Sequence, residues 1–180
     1  MLKPRHEVLI AMILAAALSR LLPHPPNFAP IGALALFGGA QFADRRAAFL
    51  VPLAAMLLSD LCLGFYTHME WVYGSFALIT CMGLWLRSHR TPWRIGGASL
   101  LGSTLFFLIT NFGVWFHATA YAKSIAGLVA CYVAAIPFFA NTLLGDGFYS
   151  LMLFGGFALL EQRFVVLRET SILSPGTAGQ

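Results

Sequence analysis

The chain alternates long apolar segments with short polar ones, and this pattern predicts helices that cross a membrane. Such a helix needs about 20 mostly apolar residues. Five segments fit: Val8–Leu22, Pro30–Ala43, Ala47–Phe65, Trp71–Leu86 and Ile95–Phe116. The last segment, Tyr121–Glu161, fits either two short spans or a surface helix, Ser124–Val133, followed by one long span, Ala135–Leu160.

The positions of Lys and Arg decide between these alternatives. With six spans and the N-terminus inside, nine of the 11 cations lie inside, and only Arg20 and Lys123 lie outside. Seven spans would move Arg163 and Arg168 outside, against the tendency of cations to stay in the cytoplasm. We therefore predict an all-α integral membrane protein with six transmembrane helices, both termini inside and a short surface helix before the last span.

These spans predict a single transmembrane domain over residues 1–180, with residues 170–180 as a disordered cytoplasmic tail. We expect a multi-pass protein of the cell's inner (cytoplasmic) membrane. Only 10% of the residues are charged and 59% are hydrophobic, whereas soluble domains carry about 25% charged residues. The net charge of +4 is spread over short loops, so we expect no nucleic-acid partner.

Catalytic and cofactor motifs are missing from the sequence. It contains no P-loop, no G-x-S-x-G, no H-E-x-x-H and no dinucleotide fingerprint. Three histidines predicted on the outer side, His24, His68 and His117, lack the spacing of metal ligands on one helix. We therefore expect neither an enzyme nor a bound cofactor or metal.

A proline-rich stretch separates the first two apolar segments. Residues 19–40 read SRLLPHPPNFAPIGALALFGGA, and the four prolines predict an ordered loop because proline ends helices. The span that follows is rich in Gly and Ala and reaches only about 21 Å. Short, interrupted apolar segments typically line cavities in membrane proteins, because their free backbone groups need polar surroundings.

Polar and aromatic residues gather on the predicted outer side, which suggests a pocket open to that side. We expect Arg20, His24 and Asn27 to form its lid, Asp60 and Asn111 its polar floor, and Trp115 a stacking wall. Two further candidates for substrate binding are Asn141 and Asp146. Structural roles stay open: Asp60 could instead form a buried salt bridge with Arg20, and Asn111 and Asp146 could bond to neighbouring helices.

Four strings carry a resemblance that runs from Arg20 to Gly156: RLLPHPPNFAPIGALALFGGA, SDLCLGF, ITNFGVW and AGLVACYVAAIPFFANTLLGD. They resemble a family of small uncharacterised six-helix membrane proteins assigned to transport. More distantly, the layout is similar to the substrate-binding S components of energy-coupling factor (ECF) vitamin transporters. This resemblance implies capture of a vitamin-like small molecule from outside, under a lid made by the first loop and the loops after the third and fifth spans.

The same resemblance implies a partner, a shared transmembrane coupling subunit that carries two ATPases. Small residues on the first helix make the docking surface in S components, and Ala11 and Ala15 match it here. Their four-residue spacing would let another helix approach closely. The alternative function is a structural or assembly scaffold in the membrane, without a ligand. A third hypothesis is a membrane haem or redox protein that uses the histidines on the predicted outer side.

Overall fold

The computed structural model describes residues 3–168, and in this range all regular structure is helical. The predicted tail, residues 170–180, lies outside the described residues. Two short 3₁₀ turns, Ser19–Leu21 and Val165–Leu167, accompany the α-helices. The α-helices are α1 (Pro4–Leu18), α2 (Ile31–Gln41), α3 (Arg45–Leu63), α4 (Met69–Leu86), α5 (Pro92–His117), α6 (Ile125–Ser150) and α7 (Gly156–Arg163).

Within residues 3–168, four helices are long and apolar enough to cross a membrane: α3, α4, α5 and the continuous helix Ile125–Arg163. This result confirms the all-helical prediction and indicates a multi-pass membrane protein. With 15 and 11 residues, α1 and α2 are shorter than the roughly 20 residues of a full span. Large apolar side chains cover the outward faces, as expected for helices that contact lipid: Leu50, Leu58, Leu78, Trp85, Leu100, Ile136, Leu144 and Leu151.

The structure corrects the predicted division of the last segment. A surface helix Ser124–Val133 separate from a span Ala135–Leu160 was wrong, because α6 runs without a break from Ile125 to Ser150. Ser124 caps its start by accepting a hydrogen bond from the Gly127 backbone N–H. The predicted junction contains only alanines, which favour helix, and Pro137 is accommodated inside it. A π-helical turn, Leu151–Gly155, then joins α6 to α7.

The short helix α2 lies at the centre of the bundle, and every residue from Gly32 to Gln41 is buried. Its small residues let other helices approach closely. A Cβ atom on Gly39 would lie 2.8 Å from the Gly83 Cα of α4, so these two backbones are in direct contact. On another face of α2, the Phe37 ring packs edge-on against Phe154 and Phe157. The Gly- and Ala-rich segment is therefore enclosed by protein.

Polar side chains close one end of the bundle, which we call the charged end. Arg5 is buried and contacts the Glu161 carboxylate; it also donates to the Leu167 carbonyl at 2.6 Å and to Gln41 Oε1 at 3.0 Å. Arg90 donates to the same Gln41 oxygen at 2.5 Å. The first and last described helices are thus tied together at this end.

Candidate functional site

A cavity of about 340 Å³ lies at the opposite end, where α1 and α3 end and α2 begins; we call this the cavity end. Its volume lies within the range of about 300–1,000 Å³ found for small-molecule sites. Apolar walls are combined with a few polar groups, as in such sites. The lining residues are Arg20, His24, Asn27, Ala29, Ile31, Gly32, Leu63, Tyr66, Val72, Phe106, Thr142 and Asp146.

The proline-rich loop covers the cavity and is fastened to α6. Asn141 Nδ2 donates a hydrogen bond of 2.9 Å to the Pro26 carbonyl. Phe28 packs against the rings of Phe148 and Tyr149, with centroids 6.0 and 6.1 Å apart. The loop is therefore ordered, and Asn141 acts on it rather than on the cavity interior.

A buried ion pair stands behind one wall of the cavity. Asp60 is fully buried, and its Oδ1 lies 2.6 Å from Nη2 of Arg20, whose side chain is 8% exposed. The two atoms meet as an ion pair, not along a hydrogen-bond direction. Tyr73 donates to Asp60 Oδ2 at 2.7 Å, and Arg20 also donates to Ser59 Oγ. The salt bridge between Arg20 and Asp60, which was one of two alternatives for Asp60 in the sequence analysis, is therefore formed.

Tyr66 adds a polar group to the cavity from the loop between α3 and α4. Burial and, to a smaller extent, the nearby Asp60 carboxylate raise the pKa of its phenol to about 12, although Arg20 opposes this change. The phenol therefore keeps its proton at neutral pH and can donate a hydrogen bond into the cavity.

Asp146 lies at the deep side of the cavity and caps the buried helix α2. Its carboxylate accepts hydrogen bonds from the Ala33 backbone N–H at 3.1 Å and from Ser103 Oγ at 2.6 Å. A carboxylate is favourable there because the first backbone N–H groups of a helix are unpaired and partly positive. Gly32 leaves room for it, since a Cβ atom at this position would lie 2.5 Å from Asp146 Oδ2.

The sequence was also compared with known proteins. The family model for the family of unknown function DUF6580 matches residues 1–170. The chain belongs to this family. No curated protein and no solved structure matches the chain. Membership of DUF6580 does not link the chain to ECF S components or to transport. The resemblance to S components therefore remains a prediction.

Four of the predicted binding residues meet at the cavity of this DUF6580 chain: Arg20, His24, Asn27 and Asp146. Two others lie on α5 outside the lining. Asn111 Nδ2 donates to the Phe107 carbonyl of its own helix at 2.8 Å. Trp115 Nε1 donates to the Ala122 carbonyl at 2.9 Å, in the segment between α5 and α6.

Sequence reasoning missed several lining residues, and one of them had a usable signal. Thr142 precedes Asp146 by four residues, so both lie on one face of α6. Phe106 lies three residues after Ser103 on α5, but only the fold shows that Ser103 contacts Asp146, so this spacing gave no signal. Tyr66 and Val72 had no such signal, because neither lies three or four residues from a predicted site residue on the same helix.

The predicted docking residues Ala11 and Ala15 are both exposed on α1. Ala15 borders a shallow groove that also includes Phe148 and Met152 of the continuous last helix. The neighbouring Ala16 and Ala17 face the interior. This face of α1 is therefore made of small side chains and is accessible within the described chain.

Proposed function

We propose that the chain is a non-enzymatic, substrate-binding membrane subunit that captures a compact, vitamin-like molecule from the outer side for uptake. The observation that carries this proposal is the cavity of about 340 Å³ under the ordered proline-rich loop. Apolar side chains such as Val72 and Phe106 would surround the molecule. His24, Asn27, Tyr66 and Thr142 would fix its orientation by hydrogen bonds.

The proposed orientation places the cavity end outside and the charged end in the cytoplasm. Nine of the 11 Lys and Arg residues lie near the chain ends or near the helix ends that meet at the charged end, as the positive-inside rule expects. Arg5 contacts both Glu161 and Leu167, so the two ends of the described chain meet at one end of the bundle. This contact supports six crossings, with α1 and the short α2 completing the four long spans in an inner membrane.

Uptake through such a subunit needs an energy source that the sequence lacks. We propose that a shared transmembrane coupling subunit with two ATPases supplies it and docks on the face of α1 that carries Ala11 and Ala15. Both residues are exposed, and small side chains permit close helix–helix contact in lipid.

Blocking the cavity tests the proposed function. Protein is purified from its own membrane in mild detergent and analysed by native mass spectrometry for a retained small molecule. Val72→Trp fills the cavity, whereas Leu78→Trp introduces the same side chain at an exposed position of α4. We expect the molecule in the wild type and in Leu78→Trp but not in Val72→Trp. A wild type without a molecule, or equal retention in both variants, contradicts the proposal.

Cysteine labelling in intact cells tests the orientation. Cys62, Cys81 and Cys131 are first replaced, and single cysteines are then introduced at exposed Thr119 or Ser88. An impermeant thiol reagent should label Thr119→Cys and leave Ser88→Cys unlabelled until the cells are opened. The reverse order would place the cavity end inside and exclude capture from the outer side.

A second candidate function, a membrane scaffold without a ligand, is favoured by one specific observation. Among the described residues, the two buried acids are already paired within the protein, Asp60 with Arg20 and Tyr73, and Asp146 with Ala33 and Ser103. Such a scaffold would yield no retained molecule in the native mass spectrum, and Val72→Trp would alter only its stability.

A further inference from the structure

Three side chains that can bind metal meet at the cavity end, outside the cavity lining. His68 precedes α4, Glu70 lies in its first turn, and His117 ends α5. Glu70 Oε1 lies 3.5 Å from His68 Nδ1 and 3.6 Å from His117 Nε2. The three ligand atoms lie within 4.8 Å of one another. The two imidazole rings are stacked, with centroids 4.0 Å apart and planes inclined by 17°.

The two distances to Glu70 suit ligands of one metal ion better than direct hydrogen bonds. Hydrogen bonds between N and O atoms span about 2.7–3.2 Å, which is shorter than either contact to Glu70. Ligand atoms that bind a tetrahedral Zn²⁺ ion at about 2.0–2.1 Å lie about 3.4 Å from one another. We propose that His68, Glu70 and His117 bind one divalent transition-metal ion of the Zn²⁺ class.

The donor set and its exposure agree with this class of ion. Two imidazole nitrogens and one carboxylate oxygen are common ligands of Zn²⁺, and three protein ligands leave a fourth position for water. The side chains of His68, Glu70 and His117 are 38%, 61% and 35% exposed, so an ion and its water can reach them from solvent.

Helix packing holds these ligands near one another through contacts that involve no metal. The ring of Trp71, next to Glu70, lies on Gly113 of α5, where a Cβ atom would come within 2.5 Å of Trp71 Cδ1. Gly113 and His117 are four residues apart and share one face of α5. Trp71 also meets the His117 ring edge-on, with centroids 6.3 Å apart. The contact between α4 and α5 therefore brings Glu70 to His117.

A bound ion would connect the loop between α3 and α4 to the end of α5. Tyr66 in this loop lines the cavity, so the ion would hold one wall in place. The site shares no residue with the cavity lining and does not depend on the proposed function. Spacing along the chain predicts no metal site because its ligands lie at positions 68, 70 and 117, which only the fold brings together.

Metal binding to the full chain tests this proposal directly. Protein with a histidine-free purification tag is stripped with a chelator and dialysed against Zn²⁺, and bound metal is measured by elemental mass spectrometry. Co²⁺ is added in parallel, because its visible absorption reports tetrahedral coordination. We expect about one ion per chain in the wild type, and a thermal midpoint that rises with the Zn²⁺ concentration because the ion binds the folded state.

Variants assign the binding to the three residues. His68→Ala, His117→Ala and Glu70→Gln should each weaken Zn²⁺ binding at least about tenfold. The matched control His89→Ala removes another exposed histidine and should bind Zn²⁺ as the wild type does. Circular dichroism and gel filtration without metal check that each variant is folded. A wild type without bound Zn²⁺, or binding that survives in the folded double variant His68→Ala/His117→Ala, overturns the proposal.

Discussion

The two ends of the bundle each contain a buried arginine, but their partners differ in exposure. At the charged end, Arg5 contacts Glu161, whose side chain is 28% exposed, and two neutral oxygens. At the cavity end, Arg20 contacts Asp60, which water cannot reach. Breaking a fully buried pair strands a charge in a poorly solvating interior, whereas water can still solvate a partly exposed group. The cavity end should therefore be the more sensitive to substitution.

The largest effect is expected for Asp60→Asn, which keeps the shape of the side chain but leaves the Arg20 charge unpaired. The free energy of unfolding in detergent should fall by about 3–5 kcal/mol. Denaturant titration followed by circular dichroism measures it. The double variant Arg20→Met/Asp60→Leu should recover much of the loss, because it removes both charges. A loss below about 1 kcal/mol for Asp60→Asn would mean that water reaches the pair.

A smaller effect at the same end is expected for Gly32→Ala. The added Cβ atom would collide with the Asp146 carboxylate and disturb the cap of α2, so the free energy of unfolding should fall by about 3 kcal/mol. Gly147→Ala is the matched control on α6, since no atom lies within 4 Å of its Cβ position. That control should be neutral or slightly stabilising. Equal stability of the two variants would show that Asp146 can move away freely.

At the charged end, Arg5→Met should lower the free energy of unfolding by about 2 kcal/mol. The substitution removes hydrogen bonds to Leu167 and Gln41, but the partly exposed Glu161 can be solvated by water. The same denaturant titration measures this change. If Arg5→Met lowers the free energy of unfolding by more than Asp60→Asn does, the charged end is the more sensitive one.

The smallest effect is expected for Asp44→Ala, at the start of α3 near the charged end. Asp44 caps α3 by accepting hydrogen bonds from the Arg46 and Ala47 backbone N–H groups at 3.2 and 3.3 Å. This exposed cap should contribute about 1 kcal/mol, less than the buried cap that Asp146 provides for α2. The midpoints of thermal unfolding of Asp44→Ala and Gly32→Ala, each compared with the wild type, rank the two caps.

Most helix positions could be predicted from the sequence because apolar segments and prolines mark them directly. The predicted spans 47–65 and 71–86 nearly coincide with α3 and α4. The predicted surface helix was wrong because the pattern around Ala134 offers no polar or glycine signal that distinguishes a break from a continuous helix. Residue type alone therefore predicts a helix better than the point at which it ends.

The candidate site could be predicted only in part, because no simple pattern in the sequence shows which side of α5 faces the cavity. Apolar residues occur on all sides of this helix, so nothing in the sequence separates Phe106, which lines the cavity, from Asn111, which does not. Arg20 and Asp146 were found because charges in an apolar chain are rare. Their partners depend on contacts between distant segments, such as Ser103 with Asp146, that only the fold provides.

The π-helical turn Leu151–Gly155 determines the side of the helix on which each later residue lies. A π turn holds about one residue more than an α turn, so it rotates the rest of the helix by about 100°. Deleting one residue from this turn would swing Glu161 away from Arg5 by more than a quarter of a circle. One extra residue in the helix thus determines whether the two termini of the bundle can be joined at all.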